Sequence, residues 1–244
     1  IRNPAFEMYL DGIRNSPHHE LHRFALTFNA KDLTKCFSGA ESPIDALDKF
    51  RQLMAEWFRQ SHATRSNAIV QTPWATVGIS SPRTELIPAR LYRLLGNICQ
   101  MHGVPFSDLI SDTKGLPFRE AGMAQEDCHP RFVACLLRMG DSLDMDDNRF
   151  CPVMQRIAGE NRPHLSKAHE HKHAAIRHLR MDRERIEVSA ECKDIDGYIE
   201  TFKWFDWLKQ EMQDQMSHWQ DIVPSRELGL LPTLGEISVR LAGE

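Results

Sequence analysis

Apolar positions recur at helical spacing over four long stretches of the chain. The first opens at Ser42-Pro43, where serine predicts an N-cap and proline the first helical position. Leu47, Phe50, Met54, Trp57 and Phe58 then form an apolar stripe that leads into Arg59, His62 and Ser66. The second stripe, Leu91, Leu94, Leu95 and Ile98, predicts a helix over about Glu85 to His102. His102 lies four residues after Ile98 on the same face. The third opens near His129-Pro130 and carries Val133, Leu136, Leu137 and Gly140 toward Asp141. The longest covers about Asp196 to Trp219, with Tyr198, Phe202, Phe205, Leu208, Met212, Met216 and Trp219 marking its expected buried side.

One segment breaks the helical habit. Ile176 to Met181 and Ile186 to Ala190 alternate in part around Asp182-Arg183-Glu184, which predicts a β-hairpin with a polar turn. Ser16 to Ser42 is polar and reads as irregular. Val223 to Glu244 holds two prolines, three glycines and a β-like run, Ile237 to Leu241, and reads as a linker or the opening strand of a following domain. The expectation is therefore an all-α domain over residues 1–222 with one small β-hairpin. Residues 1–41 are its irregular part, following sequence that precedes Ile1. No internal repeat and no low-complexity block is evident.

Composition narrows the classes. Thirty basic and 34 acidic residues leave a net charge of -4, so no global basic field favours nucleic acid. The longest apolar run, Phe132 to Leu137, is too short to cross a bilayer, and no secretory signal is evident. Six cysteines, none in a C-x-x-C pair, argue against a zinc ribbon and fit a reducing cytoplasm. Cys99 and Cys135 fall inside apolar helical patterns and read as small core residues.

The chemistry concentrates at Leu136-Leu137-Arg138-Met139-Gly140-Asp141-Ser142-Leu143-Asp144. Two carboxylates three residues apart share a helix face in an otherwise apolar segment, where burial without a metal or basic partner would be expensive. His62, His102 and Asp141 each lie beside an apolar stripe on a different predicted helix. Ligands on separate helices can converge on one internal site. Two imidazoles and a carboxylate suit a divalent transition metal such as Mn, Fe, Co, Ni or Zn. A single histidine on a helix face is, taken alone, more often a hydrogen-bonded packing residue.

Four motifs in order change that balance. Arg59-Gln60-Ser61-His62-Ala63-Thr64-Arg65-Ser66 resembles the R-x-x-H-x-x-x-S element of the HD-domain metal-dependent phosphohydrolases. Ile98-Cys99-Gln100-Met101-His102-Gly103 resembles their next histidine helix. Leu136 to Asp144 is similar to their L-L-R-x-x-D-x-L-D segment, whose first Asp is a metal ligand. Ser166 to Ile176 resembles an S-x-x-H-x-x-K-H-x-x-I stretch leading into a hairpin, a pattern of HD domains joined to Hsp90-like ATPase modules. The resemblance covers about residues 55 to 220. It implies an HD-like helical bundle in which His62, His102 and Asp141 hold metal. A metal-activated water then attacks phosphorus in a nucleotide or other phosphate ester. Arg149, Lys172 or His173 steadies the developing charge. The chain departs from the family in one respect: no His-Asp dipeptide occurs in it. Tyr9-Leu10-Asp11-Gly12-Ile13 reads as a decayed remnant, or the pair precedes Ile1; His18-His19-Glu20 is a poor substitute in a polar loop.

Alternatives stand beside this. His164, His169, His171 and His173 suit a second metal site, phosphate contact or a solvated basic helix face. Arg138 and Arg149 suit either phosphate oxygens or an ion pair with Asp144 or Asp147. Asp144 reads as a group that orients Arg149 or a ligand histidine. Trp204, Trp207 and Trp219 read as core. The rival to an enzyme is a decayed HD domain that regulates or dimerises an attached ATPase. Direct nucleic-acid cleavage is a third class, disfavoured by the charge balance. Homo-oligomerisation stays open.

Overall fold

The computed structural model describes residues 4–29, 40–78, 88–123, 126–145, 150–153, 156, 162, 164–225, 228–229 and 231–242. The chain divides into two compact units, residues 1–62 with 153–164 and residues 63–152 with 165–244.

In the first unit, α1 (Pro4–Arg14) buries Phe6, Leu10 and Ile13, and α2 (His22–Thr27) buries Phe24 and Ala25. Residues 1–41, read as irregular, therefore hold two helices, of eleven and six residues. Helix α3 (Pro43–Gln60) starts as expected: Ser42 Oγ accepts the Asp45 N–H at 3.1 Å, and Pro43 opens the first turn. Its inward face is Ala46, Phe50, Leu53, Met54 and Trp57, while Leu47 and Phe58 are exposed. The expected stripe is thus rotated by part of a turn. The core these helices close is apolar and largely aromatic. Phe6 meets Trp57 edge-on at 5.1 Å, and Phe28 stacks on Phe50 at 5.7 Å.

Ser61 interrupts the helix, and α4 (His62–Gln71) follows. The second unit continues through α5 (Pro73–Val77), closed by Gly78 at φ +71°, where glycine avoids the steric penalty of the left-handed region. It then runs through α6 (Ala89–Met101) and α7 (Phe106–Ile110) to a small antiparallel pair, β1 (Glu120–Met123) and β2 (Glu126–Cys128). Next come α8 (Pro130–Leu143) and α9 (His164–Ala175). The predicted hairpin is β3 (Ile176–Met181) with β4 (Arg185–Cys192), antiparallel. Its turn is set by Asp182 Oδ1, which accepts the N–H groups of Glu184 and Arg185 at 2.8 and 3.0 Å. Helix α10 (Ile195–Ser217) is N-capped by Asp194, which accepts the Gly197 N–H at 2.8 Å, and α11 (Trp219–Ile222) follows it.

The tail read as a linker or the opening strand of another domain supplies β5 (Thr233–Leu241), which pairs in parallel with β4 in the order β3-β4-β5. Alternate β4 residues Ile186, Val188, Ala190 and Cys192 turn inward onto Phe205, Leu208 and Met212 of α10. The helical class stands, and the sheet has one strand more than the hairpin predicted.

Candidate functional site

Helix α8 carries Asp141, and its orientation decides which of its side chains are buried. The inward face is Ala134, Cys135, Arg138, Met139 and Ser142. Ala134 and Cys135 join the apolar cluster of Leu94, Ile98, Phe106 and Leu109, whereas Met139 joins the sheet cluster. The face expected to be buried is open instead: Val133, Leu136, Leu137 and Gly140 are exposed, Leu136 at 53%. Asp141 lies on that open face, and Asp144 is exposed at the helix end. Neither carboxylate therefore bears a burial cost.

Arg138 takes the buried position between the two apolar clusters, 7% exposed, and pairs with Glu211 of α10, 3% exposed. Nε and Nη2 donate to the two carboxylate oxygens at 2.7 and 2.5 Å. Gln215 adds a bond to Glu211 at 2.8 Å and one to the Cys135 carbonyl at 3.3 Å. Arg138 Nη1 donates to the carbonyls of Met101 and Val104, at 2.8 and 2.7 Å, at the end of α6. The guanidinium is thus committed to protein groups. The alternatives of phosphate contact or pairing with Asp144 or Asp147 do not hold for it. Burial, then Glu211, pushes the neighbouring Cys135 thiol up to about 12, as suits a core cysteine.

The turn that Arg138 grips carries His102. His102 caps α6, is half-buried, and donates Nδ1–H to the Cys99 carbonyl three residues back. His62 is exposed and does the same to the Arg59 carbonyl at 2.7 Å. A carbonyl only accepts, so in both rings Nδ1 carries a proton. His62 closes the first unit; His102 and Asp141 belong to the second. Within the second unit α4 approaches α6 closely. A side chain at Gly103 would collide with Ala63, and Asn67 Nδ2 donates to Asn97 at 3.2 Å and Gln100 at 2.6 Å. Among the described residues, no three His, Cys, Asp or Glu side chains form a ready-made metal cage.

Lys172 and His173 come to the other end of α8. They are 3% and 4% exposed, so neither belongs to a solvated basic face. Lys172 Nζ lies 3.4 Å from the Trp204 ring centroid, and the Trp204 indole N–H donates to the Ser142 carbonyl at 3.0 Å. A buried ammonium is expensive, and the ring quadrupole offsets part of that cost. His173 meets Phe150 edge-on at 5.2 Å. Of the other histidines, His171 pairs with Asp194 at 2.6 Å in an exposed position, and His164 donates its backbone N–H to Glu20. Arg149 and Asp147 lie outside the described residues.

The upstream residues read as stand-ins for the His-Asp pair lie in the first unit. Asp11 faces outward and pairs with Arg14 at 2.9 Å. His19 pairs with Glu56 at 3.1 Å, half-buried. Burial first, then Glu56, holds the Tyr9 hydroxyl well above its ordinary range.

Sequence reasoning missed Trp204, Glu211 and Gln215 as parts of this site. Trp204, Leu208, Glu211 and Gln215 share one face of α10, and a Glu and a Gln on an apolar face were the available signal.

A family model described as HD-CE matches residues 6–214. No curated protein and no solved structure matches the chain. The match takes in residues of both units and the positions of His62, His102, Asp141, Lys172 and His173: the chain belongs to the HD-CE family of HD-like domains.

Proposed function

We propose that the chain is a metal-dependent phosphohydrolase domain acting on a nucleotide or another phosphate ester. The observation that carries this reading is the common setting of His62 and His102. Each donates Nδ1–H to a carbonyl, the arrangement that fixes the tautomer and orientation of metal-binding histidines and presents Nε2 as the ligand atom. With Asp141 they form the proposed ligand set for Mn, Fe, Co, Ni or Zn. A divalent ion held there lowers the pKa of a water it binds and polarises phosphate oxygens. Lys172, braced by Trp204, and His173 are the proposed groups for the phosphate charge, together with Arg149. Burial strengthens their pull on an anion relative to a solvated lysine. We read the domain as part of a larger protein with an attached Hsp90-like ATPase module, which the motif at Ser166 to Ile176 supports.

The full-length protein, assayed with Mn, Co or Ni against a panel of nucleotides, should retain metal by elemental analysis and turn over at least one substrate. No metal and no turnover would overturn the reading.

A regulatory or dimerisation domain without turnover is the second reading. It is favoured by the lack of a His-Asp dipeptide and by Asp11 facing outward into its pair with Arg14. Metal retained without hydrolysis of any nucleotide would favour it.

A further inference from the structure

We infer that Arg138 and Glu211 are positioning residues that hold the His102 turn against the helix carrying Asp141. The inference rests on the ligand roles proposed for those two residues. One guanidinium makes both connections. Its Nε and Nη2 are fixed by Glu211, and its Nη1 takes the carbonyls on either side of His102-Gly103, those of Met101 and Val104. Arg138 precedes Asp141 by three residues on α8, so the α6 turn and the Asp141 helix are tied through a single side chain.

The chemistry explains the residue types. The last carbonyls of a helix have no intrahelical partner, and a planar cation with five N–H donors can satisfy one of them, that of Met101, with the following turn carbonyl of Val104 and a carboxylate at once. Lysine has no fork and cannot do so. Gln215 Nε2 donates to Oε1 of Glu211, the oxygen that also accepts from Arg138 Nε, and the pair is buried whereas Asp141 is exposed. The pair therefore acts on the proposed ligands from behind.

Two variants of the full chain separate positioning from mere folding. Arg138→Lys keeps the charge but not the fork. Arg138→Met with Glu211→Leu replaces the pair by apolar volume, an exchange that often preserves stability. Both should raise amide hydrogen exchange at 101–104 at least ~10-fold, while the β3–β4 hairpin keeps its protection. Both should weaken Co²⁺ or Mn²⁺ binding by about 10- to 100-fold, the range for removing a ligand's supporting partner. In an H102A background neither should weaken the metal further. Unchanged exchange at the turn would overturn the inference. So would a stable double variant with full metal affinity, or losses that multiply with H102A. If the wild-type chain binds no metal, the ligand roles fall, and the exchange result alone decides whether Arg138 holds the turn.

Discussion

The two units bury different things. The first closes over an apolar, largely aromatic core of Phe6, Leu10, Phe24, Phe28 and Leu53. Among the described residues, the polar and charged residues buried as a whole lie in the second, Arg138, Ser142, Lys172, His173, Thr201, Glu211 and Gln215, while the first buries the Tyr9 hydroxyl. Burying such groups costs free energy that apolar residues of the same volume would not. The second core therefore carries a polar burial cost that the first largely avoids. The proposed chemistry follows this contrast, since Lys172, His173 and the support of His102 and Asp141 all lie in the polar core.

Breaking the Arg138–Glu211 pair should show the contrast most strongly. Glu211→Ala leaves a buried guanidinium without its counter-charge and should cost about 3–5 kcal/mol in urea denaturation. Arg138→Met with Glu211→Leu should recover most of that loss. The apolar core should behave in the ordinary way: Leu53→Ala costs about 2–5 kcal/mol through a cavity, with no polar rescue to find.

Cys135 sharpens the comparison through pH. Its folded value, about 12, lies above the ordinary 9.0, so the folded chain holds its proton more tightly than the unfolded one. That contribution is complete below pH 9.0 and is lost as pH rises through the folded value. Cys135→Ala should flatten the alkaline fall in stability by about one proton. Alkylation at pH 8 should reach exposed Cys151 and spare Cys135 until unfolding. The smallest effect belongs to the first unit: Ser42→Ala should remove about 1 kcal/mol, the worth of an N-cap.

Much of this could be read from the chain, and the failures have physical reasons. Ser42-Pro43 and His129-Pro130 marked helix starts because the Ser42 cap and the first-turn prolines act locally, and Asp182 marked the hairpin turn for the same reason. Helices α1 and α2 were both missed: α2 has only six residues, too few to display a period, and the spacing of Phe6, Leu10 and Ile13 on α1 went unread. On α8 the apolar stripe through Val133, Leu136 and Leu137 was mistaken for the buried side. The helix instead turns Arg138 inward, because Glu211, 73 residues away in sequence, satisfies it. The same distance problem hid the pairing of β5 with β4. The family was legible from four ordered motifs, and the match over residues 6–214 bears out an HD-like domain. The burial of Lys172 depends on Trp204, which periodicity alone classed as core.

The central claim is that His62, His102 and Asp141 hold a divalent ion. Its most direct test is Co²⁺ titration of the full-length protein and of H62A, H102A and D141A, followed by the d–d absorption of bound cobalt. The account predicts saturable binding with a histidine-ligated spectrum, weakened in each variant while circular dichroism is unchanged. Cobalt bound equally well by all four proteins, or by none of them, would contradict it.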